Sequence, residues 1–236
     1  MRDDDISGYV ADGVADLGIV GENVYVESNH QLDVVHRLGF SKCRLSIAIP
    51  RGETYGSIGD FEGKSIATSY PNLLGKYLST KDIQAHIHVI SGSVEIAPSI
   101  GLADAVCDIV SSGSTLLSNG LKEVEVIFRS EAVLVGNPTL NDEKRAILAK
   151  LLFRINAVQT AQNYKYILLN APNDKLNEII ALIPGMKSPT VLPLAAGGWS
   201  SVHSVIEEND FWNNIEAIRA AGAQGILIIP IEKMVH

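Results

Sequence analysis

The segment Ala105-Val-Cys-Asp-Ile-Val-Ser-Ser-Gly-Ser-Thr-Leu-Leu-Ser-Asn-Gly120 reads as a buried β-strand that turns through small hydroxyl residues into a helix start. A strand delivering such a turn to a helix is a unit of α/β architecture, and α/β sheets place their sites at the carboxyl ends of strands. The same alternation continues on both sides. Val14–Val20, Cys43–Ile49, Ser65–Thr68, Ile87–Ile90 and Val124–Phe128 read as further strands, with helical stretches at Asn72–Ser79 and Val94–Ala103 between them. The expectation is a parallel sheet. Asn141 or Asp142 caps a long helix reaching Asn163, with Ile147, Leu148, Leu151, Leu152, Ile155 and Val158 as its apolar stripe.

From Tyr164 the pattern changes. Strands at Tyr166–Leu169, Thr190–Leu194, Ser201–Ile206 and Gly225–Ile229 surround helices at Asp174–Leu182 and Asn209–Ala221, giving the order β-α-β-β-α-β of the ferredoxin-like split unit.

The bulk properties limit the function classes. The 236 residues are 46% apolar and 19% charged, with a formal net charge of −8. That charge argues against nucleic acid or an acidic membrane as partner. It also means that a polyanionic substrate must be held by local devices. No apolar run is long enough for a bilayer span, and Met1-Arg-Asp-Asp-Asp-Ile6 is unlike a signal peptide. With Met1 as the true start, the expectation is a cytoplasmic protein. Cys43 and Cys107 sit in apolar runs and read as free buried thiols.

In the opening segment, Ser111, Ser112, Gly113, Ser114, Thr115 and Leu116 offer converging amides and hydroxyls, and Gly113 permits close approach of a ligand. Asp108 is placed to accept hydrogen bonds from two ribose hydroxyls. A plain N-cap turn without ligand is the equal alternative. Gly18-Ile-Val-Gly-Glu-Asn23 and Thr68-Ser-Tyr-Pro-Asn72 also follow strands and suit a nucleotide, although each is a common turn. Neither Gly-x-Gly-x-x-Gly nor a P-loop Lys is present. His86-x-His88 reads as a surface pair rather than a metal site, and Asp3-Asp4-Asp5 as a solvated helix start.

Taken with Arg2–Ile6, Ala11–Gly21, Ile66–Pro71, Glu95–Pro98 and Gly185-Met-Lys-Ser-Pro-Thr190, the segment resembles the long form of ATP phosphoribosyltransferase over essentially the whole chain. The resemblance implies an α/β fold: a two-domain, periplasmic-binding-protein-like core, followed by a C-terminal ferredoxin-like (βαββαβ) regulatory domain. Its domains would be residues 1–42 with 130–162, then 43–129 carrying the phosphoribosyl pyrophosphate (PRPP) loop, then 163–236.

By the same resemblance, Ser111–Leu116 would cradle the 5-phosphate of PRPP, with Asp108 and Glu95 at the ribose hydroxyls. Gly18, Gly21, Glu22, Asn23, Thr68, Ser69, Tyr70 and Pro71 would meet ATP. Asn170, Ser188, Thr190, Val205 and Gly225 would bind inhibitory histidine. The reaction would be displacement at the anomeric carbon by N1 of adenine, with Mg²⁺ on the departing pyrophosphate and Arg2 neutralising its charge. The family also implies a homo-oligomer, a hexamer in the intact enzyme. Two departures stand out: Ser7 replaces the family's usual Pro, and a strand–helix–strand segment that precedes Arg2 in the family is missing. Reduced or no activity of these 236 residues alone is expected. Two other classes remain open on the residues themselves, a non-catalytic solute-binding protein and an amino-acid sensor of the same α/β shape.

Overall fold

The computed structural model describes residues 2–183, 185 and 188–235. The chain divides into two compact units, Met1–Asp142 and Glu143–His236. None of the helices among the described residues is long and apolar enough to cross a membrane.

The first unit holds two sheets. One has the order β1-β8-β2, built from β1 (Leu17–Gly21), β2 (Asp33–Arg37) and β8 (Ala132–Gly136), both pairs antiparallel. Helices α1 (Asp3–Ala11) and α2 (Glu22–Ser28) accompany it. Val10, Val20, Val133 and Val135 form its core with Leu32. Gly18 is forced by this packing, because a Cβ there would lie 2.5 Å from Ile6 Cγ2 on α1.

The second sheet has the order β5-β4-β6-β3-β7, from β3 (Cys43–Pro50), β4 (Ser65–Thr68), β5 (His86–Val89), β6 (Ala105–Val110) and β7 (Leu121–Ser130). It is mixed, not parallel as the sequence suggested. β4 pairs parallel with β5 and β6, while β3 runs antiparallel between β6 and β7. A strand covered on both faces is apolar throughout whichever way it runs, so its direction leaves no mark in the sequence. Ile47, Ala48, Ile66, Ala67, Ala105, Val106 and Cys107 are fully buried here, covered on one face by α3 (Pro71–Thr80) and on the other around α4 (Ser114–Ser118). Pro71 at the first helical position starts α3, and Leu73, Leu74 and Leu78 bury its inner side. The stretch expected to be helical over Val94–Ala103 is only a 3₁₀ turn at Val94–Ile96 followed by turns. β1 begins at Leu17, leaving Val14 exposed in a loop.

The chain crosses between the two sheets twice, and the crossing segments bond to each other: Leu38 N–H donates to Ala132 O (2.9 Å) and Ala132 N–H to Phe40 O (3.0 Å).

In the second unit, α5 (Asp142–Gln162) leads to β9 (Tyr164–Pro172), α6 (Leu176–Ala181), β10 (Thr190–Pro193), β11 (Trp199–Glu207), α7 (Glu208–Ala220) and β12 (Gln224–Pro230). The sheet order β10-β11-β9-β12 with all pairs antiparallel is the ferredoxin-like topology read from the sequence. Ile167, Leu169, Val202 and Ile206 alternate inward against Ile179, Phe211 and Ile218. The apolar stripe of α5 is not an inward face. Ile147, Leu151 and Val158 are exposed, and the small residues Ala157 and Ala161 are the buried ones. Within the segment Gly185–Thr190, Met186 and Lys187 lie outside the described residues.

Ile167→Ala should lower unfolding free energy by about 2–5 kcal/mol in urea titrations, since it removes a fully buried side chain from the central strand. A comparable loss from the exposed Val191→Ala would show that the burial pattern is misassigned.

Candidate active site

The carboxyl ends of β4 and β5 face α1 and α2 across a cavity of about 530 Å³, and the end of β6, parallel to β4, opens on the same side of the sheet. Asp4, Val24, Glu27 and Ser28 line it from one side, and Ser69, Tyr70, Val89, Ile90, Ser91 and Gly92 from the other. Such a crevice outside strand ends is where α/β proteins bind ligands.

The loop after β4 is held by its own side chains. Thr68 is buried and its Oγ1 accepts from Tyr70 N–H (2.9 Å), while Ser69 Oγ–H donates to Ile90 O (2.7 Å). Tyr70 is then fixed from across the cavity, because Asn23 Nδ2 donates to its hydroxyl (3.1 Å). Asn23 is itself buried beside Ser130. Its N–H donates to Ser130 Oγ (3.0 Å), and that hydroxyl donates back to Asn23 Oδ1 (2.7 Å). Burial pushes the Tyr70 phenol up to about 12, so it stays a neutral donor and acceptor at physiological pH.

A second tie was invisible in the sequence. The first turn of α3 has no side-chain cap of its own, and Glu27 on α2 supplies one. Its carboxylate accepts from Asn72 N–H (2.8 Å) and Leu73 N–H (2.9 Å), and Asn72 Nδ2 donates to Glu27 O (2.9 Å). Sequence reading placed a helix over Asn72–Ser79 but had no signal for a cap lying 45 residues away. Glu22 is also committed within the protein, in a bidentate pair with Arg37.

β6 carries Asp108 half-buried near the cavity. Its carboxyl is held above the usual range by desolvation, opposed by Ile109 N–H (2.7 Å) and aided by the charge of Glu95. Glu95 lies in the 3₁₀ turn Val94–Ile96, so the two carboxylates expected to serve one ligand do sense each other. After β6, Gly113 adopts φ +83°, a left-handed turn that favours glycine, and α4 follows. Ser112 and Ser114 hydroxyls lie 3.0 Å apart. The N–H groups of Thr115 and Leu116 find no acceptor among the described residues. Because α4 has only five residues, free amides and hydroxyls, more than a helix dipole, give this loop its capacity for an anion.

Arg44 was not singled out from the sequence, although a lone Arg inside an apolar strand is an anomaly that could have marked it. Its guanidinium forms a bidentate pair with Glu123 (2.5 and 2.6 Å) and donates to Ser111 O at 3.1 Å.

Other expected residues fall elsewhere. Arg2 is exposed at the N-cap of α1. Gly18 packs under α1, and Gly21 precedes α2, where a Cβ would meet Asn23 Oδ1 at 2.7 Å. In the second unit, Asn170, Thr190 and Val205 lie on the sheet face opposite the helices. Gly225 (φ +59°) abuts Asn170, and Ser188 is exposed before β10. No group of three or more His, Cys, Asp or Glu able to hold a metal is gathered among the described residues.

Two family models match the chain: "HisG: ATP phosphoribosyltransferase" over residues 2–157, and "HisG, C-terminal domain" over 161–233. An ATP phosphoribosyltransferase of Cytophaga hutchinsonii is 61% identical over 235 residues, covering all of this chain and 82% of that protein. One from Bacteroides fragilis is 59% identical over 235 residues, again covering all of this chain and 83% of its own length. Among solved structures, the ATP phosphoribosyl transferase (HisG:HisZ) complex from Thermotoga maritima matches with TM-score 0.58 and 32% identity, over 64% of this chain and 74% of that one.

Two outcomes follow from the site. Glu27→Ala should cost about 0.5–2 kcal/mol in chemical unfolding, the value of a lost helix cap; an unchanged midpoint would mean that Glu27 does not cap α3. Folded Asp108 holds its proton more tightly than the unfolded chain does, so its contribution to stability is complete below about pH 4 and is lost as pH rises through the elevated native value. Asp108→Asn should therefore melt higher than the parent at pH 7–8, with the difference closing towards pH 4.

Proposed function

The chain belongs to the ATP phosphoribosyltransferase family, a family of glycosyl-transferring enzymes of histidine biosynthesis, and on that premise we propose that it condenses ATP with PRPP to give N1-(5-phosphoribosyl)-ATP and pyrophosphate. The observation that carries this reading is the pairing of a loop rich in free amides with a nucleotide-sized cavity at neighbouring strand ends.

In this reading Ser111–Leu116 take the 5-phosphate of PRPP, with Asp108 accepting from the ribose hydroxyls. Desolvation of Asp108 strengthens such hydrogen bonds, because water does not compete for them. ATP occupies the cavity bordered by Ser69 and Tyr70, with Asn23 and Glu27 holding that wall in place. Adenine N1 attacks the anomeric carbon, the bond from that carbon to pyrophosphate breaks, and its electron pair leaves with the pyrophosphate. The protein's part is alignment of two anions and neutralisation of the departing charge. Magnesium arrives with PRPP as part of the substrate; Arg2, next to Asp3–Asp5 at the start of α1, assists the leaving group. We further propose a cytoplasmic homo-oligomer, inhibited by histidine at the second unit through Asn170, Ser188, Thr190, Val205 and Gly225.

The test is incubation of the chain with ATP, PRPP and Mg²⁺, following pyrophosphate with and without histidine. Histidine-sensitive release is the expected result. Histidine binding without release would indicate a sensor, and neither would favour a solute-binding protein. Arg2→Ala should lower kcat at least about 100-fold while leaving the fold intact, the scale of losing one charge-stabilising group. Unchanged turnover would remove Arg2 from the mechanism.

A further inference from the structure

The loop Ser111–Leu116 contains no basic residue, and the chain around it carries a net charge of −8. A dianion bound there needs positive charge and a loop already shaped to meet it. The shaping comes from β3, the strand next to β6. In register, Arg44 of β3 lies opposite Val110 of β6 on one side and Arg129 of β7 on the other, which directs both arginines to the same sheet face. Like charges placed opposite each other repel, and Glu123 relieves this by clamping Arg44 through two hydrogen bonds while Ser46 Oγ–H donates to the same carboxylate (2.8 Å). The Arg44 pair and the nearby charge of Arg129 keep Glu123 below the usual carboxylate range. Asp108 of β6 lies opposite Ser46 and so shares this face, where the two carboxylates formally balance the two arginines.

The clamp uses Nε and Nη2 of Arg44 and frees Nη1, which donates to Ser111 O at 3.1 Å. Ser111 is the first residue after β6, two before the left-handed turn at Gly113. Turning its carbonyl toward Arg44 orients the peptide groups that follow, and so the free amides of Thr115 and Leu116.

We infer that Arg44, locked by Glu123, is a positioning residue for the phosphate loop: it holds the Ser111 carbonyl and presets the 111–116 turn. This rests on reading that loop as the seat of the 5-phosphate. A planar guanidinium is required, since an ammonium cannot satisfy both carboxylate oxygens and the carbonyl in this fixed fork.

The test is calorimetric titration of the full chain with ribose 5-phosphate and, separately, with ATP. For Arg44→Lys, the Kd for ribose 5-phosphate should rise about tenfold, the scale of one charge-assisted hydrogen bond, while that for ATP changes by less than about twofold. The double variant Arg44→Met/Glu123→Gln removes both charges together and leaves neither unpaired. It should keep a melting temperature close to the parent's and show the same selective loss. Folded variants with undiminished affinity for ribose 5-phosphate would overturn the inference, as would equal losses for both ligands, which would indicate a general structural brace. A parent chain that binds ATP but no ribose 5-phosphate would instead overturn the reading of the loop, and the inference with it.

Discussion

Between the two sheets of the first unit the chain has to run outside any sheet, twice, and its backbone polar groups still need partners. They find them in each other. Leu38 and Phe40 of one crossing bond to Ala132 of the other, and Glu22 N–H at the start of α2 donates to Glu131 O beside it. This narrow ladder fixes where the ends of β4 and β5 face α1 and α2. The cavity between them, and the side chains that meet in it, depend on that spacing.

Around the ladder, side chains convert proximity into defined geometry. Asn23 is bonded to Ser130 at the crossing and to Tyr70 on the cavity wall, so one buried amide ties the wall to the ladder. Glu27 adds a second tie by completing the helix end of α3. Neither contact is large; the Asn23 bonds to Ser130 are buried, where a hydrogen bond is stronger and an unmade one is costly, whereas Glu27 makes its bonds to Asn72 at the surface. A cavity lined this way is shaped before a ligand arrives, which suits a reaction that depends on alignment more than on covalent help.

The electrostatics follow the same economy. A chain of net charge −8 cannot draw polyanions with a general field. Its positive elements are local: free amides after Gly113, and arginines 44 and 129 on the neighbouring strands β3 and β7. Asp108, by contrast, is an acid kept partly out of water near another acid, at a cost to stability. A destabilised group next to a cavity is a common mark of function. Here the strain and the compensating arginine pair sit on the same sheet.

The sequence by itself determined the strands, the α/β class and the ferredoxin-like order of the tail, though not the 3₁₀ turn in place of a helix at Val94–Ala103, because apolar periodicity and turn residues act over a few neighbouring positions. It also marked Asp108, Gly113 and the hydroxyls around it, since a strand running into small residues and a helix start is a local pattern. Strand direction was not legible: β3 is covered on both faces and neither its apolar residues nor Arg44 and Ser46 mark which way it runs, so its antiparallel insertion between β6 and β7 left no periodic trace. The fate of α5 was not legible either, as Ile147 and Leu151 have the right spacing for a buried stripe but lie exposed. Arg44, Glu27 and Asn23 were decided only by the tertiary structure, for one reason. Their partners lie 45 to 107 residues away, and a hydrogen bond between such residues exists only once the sheets have brought them together.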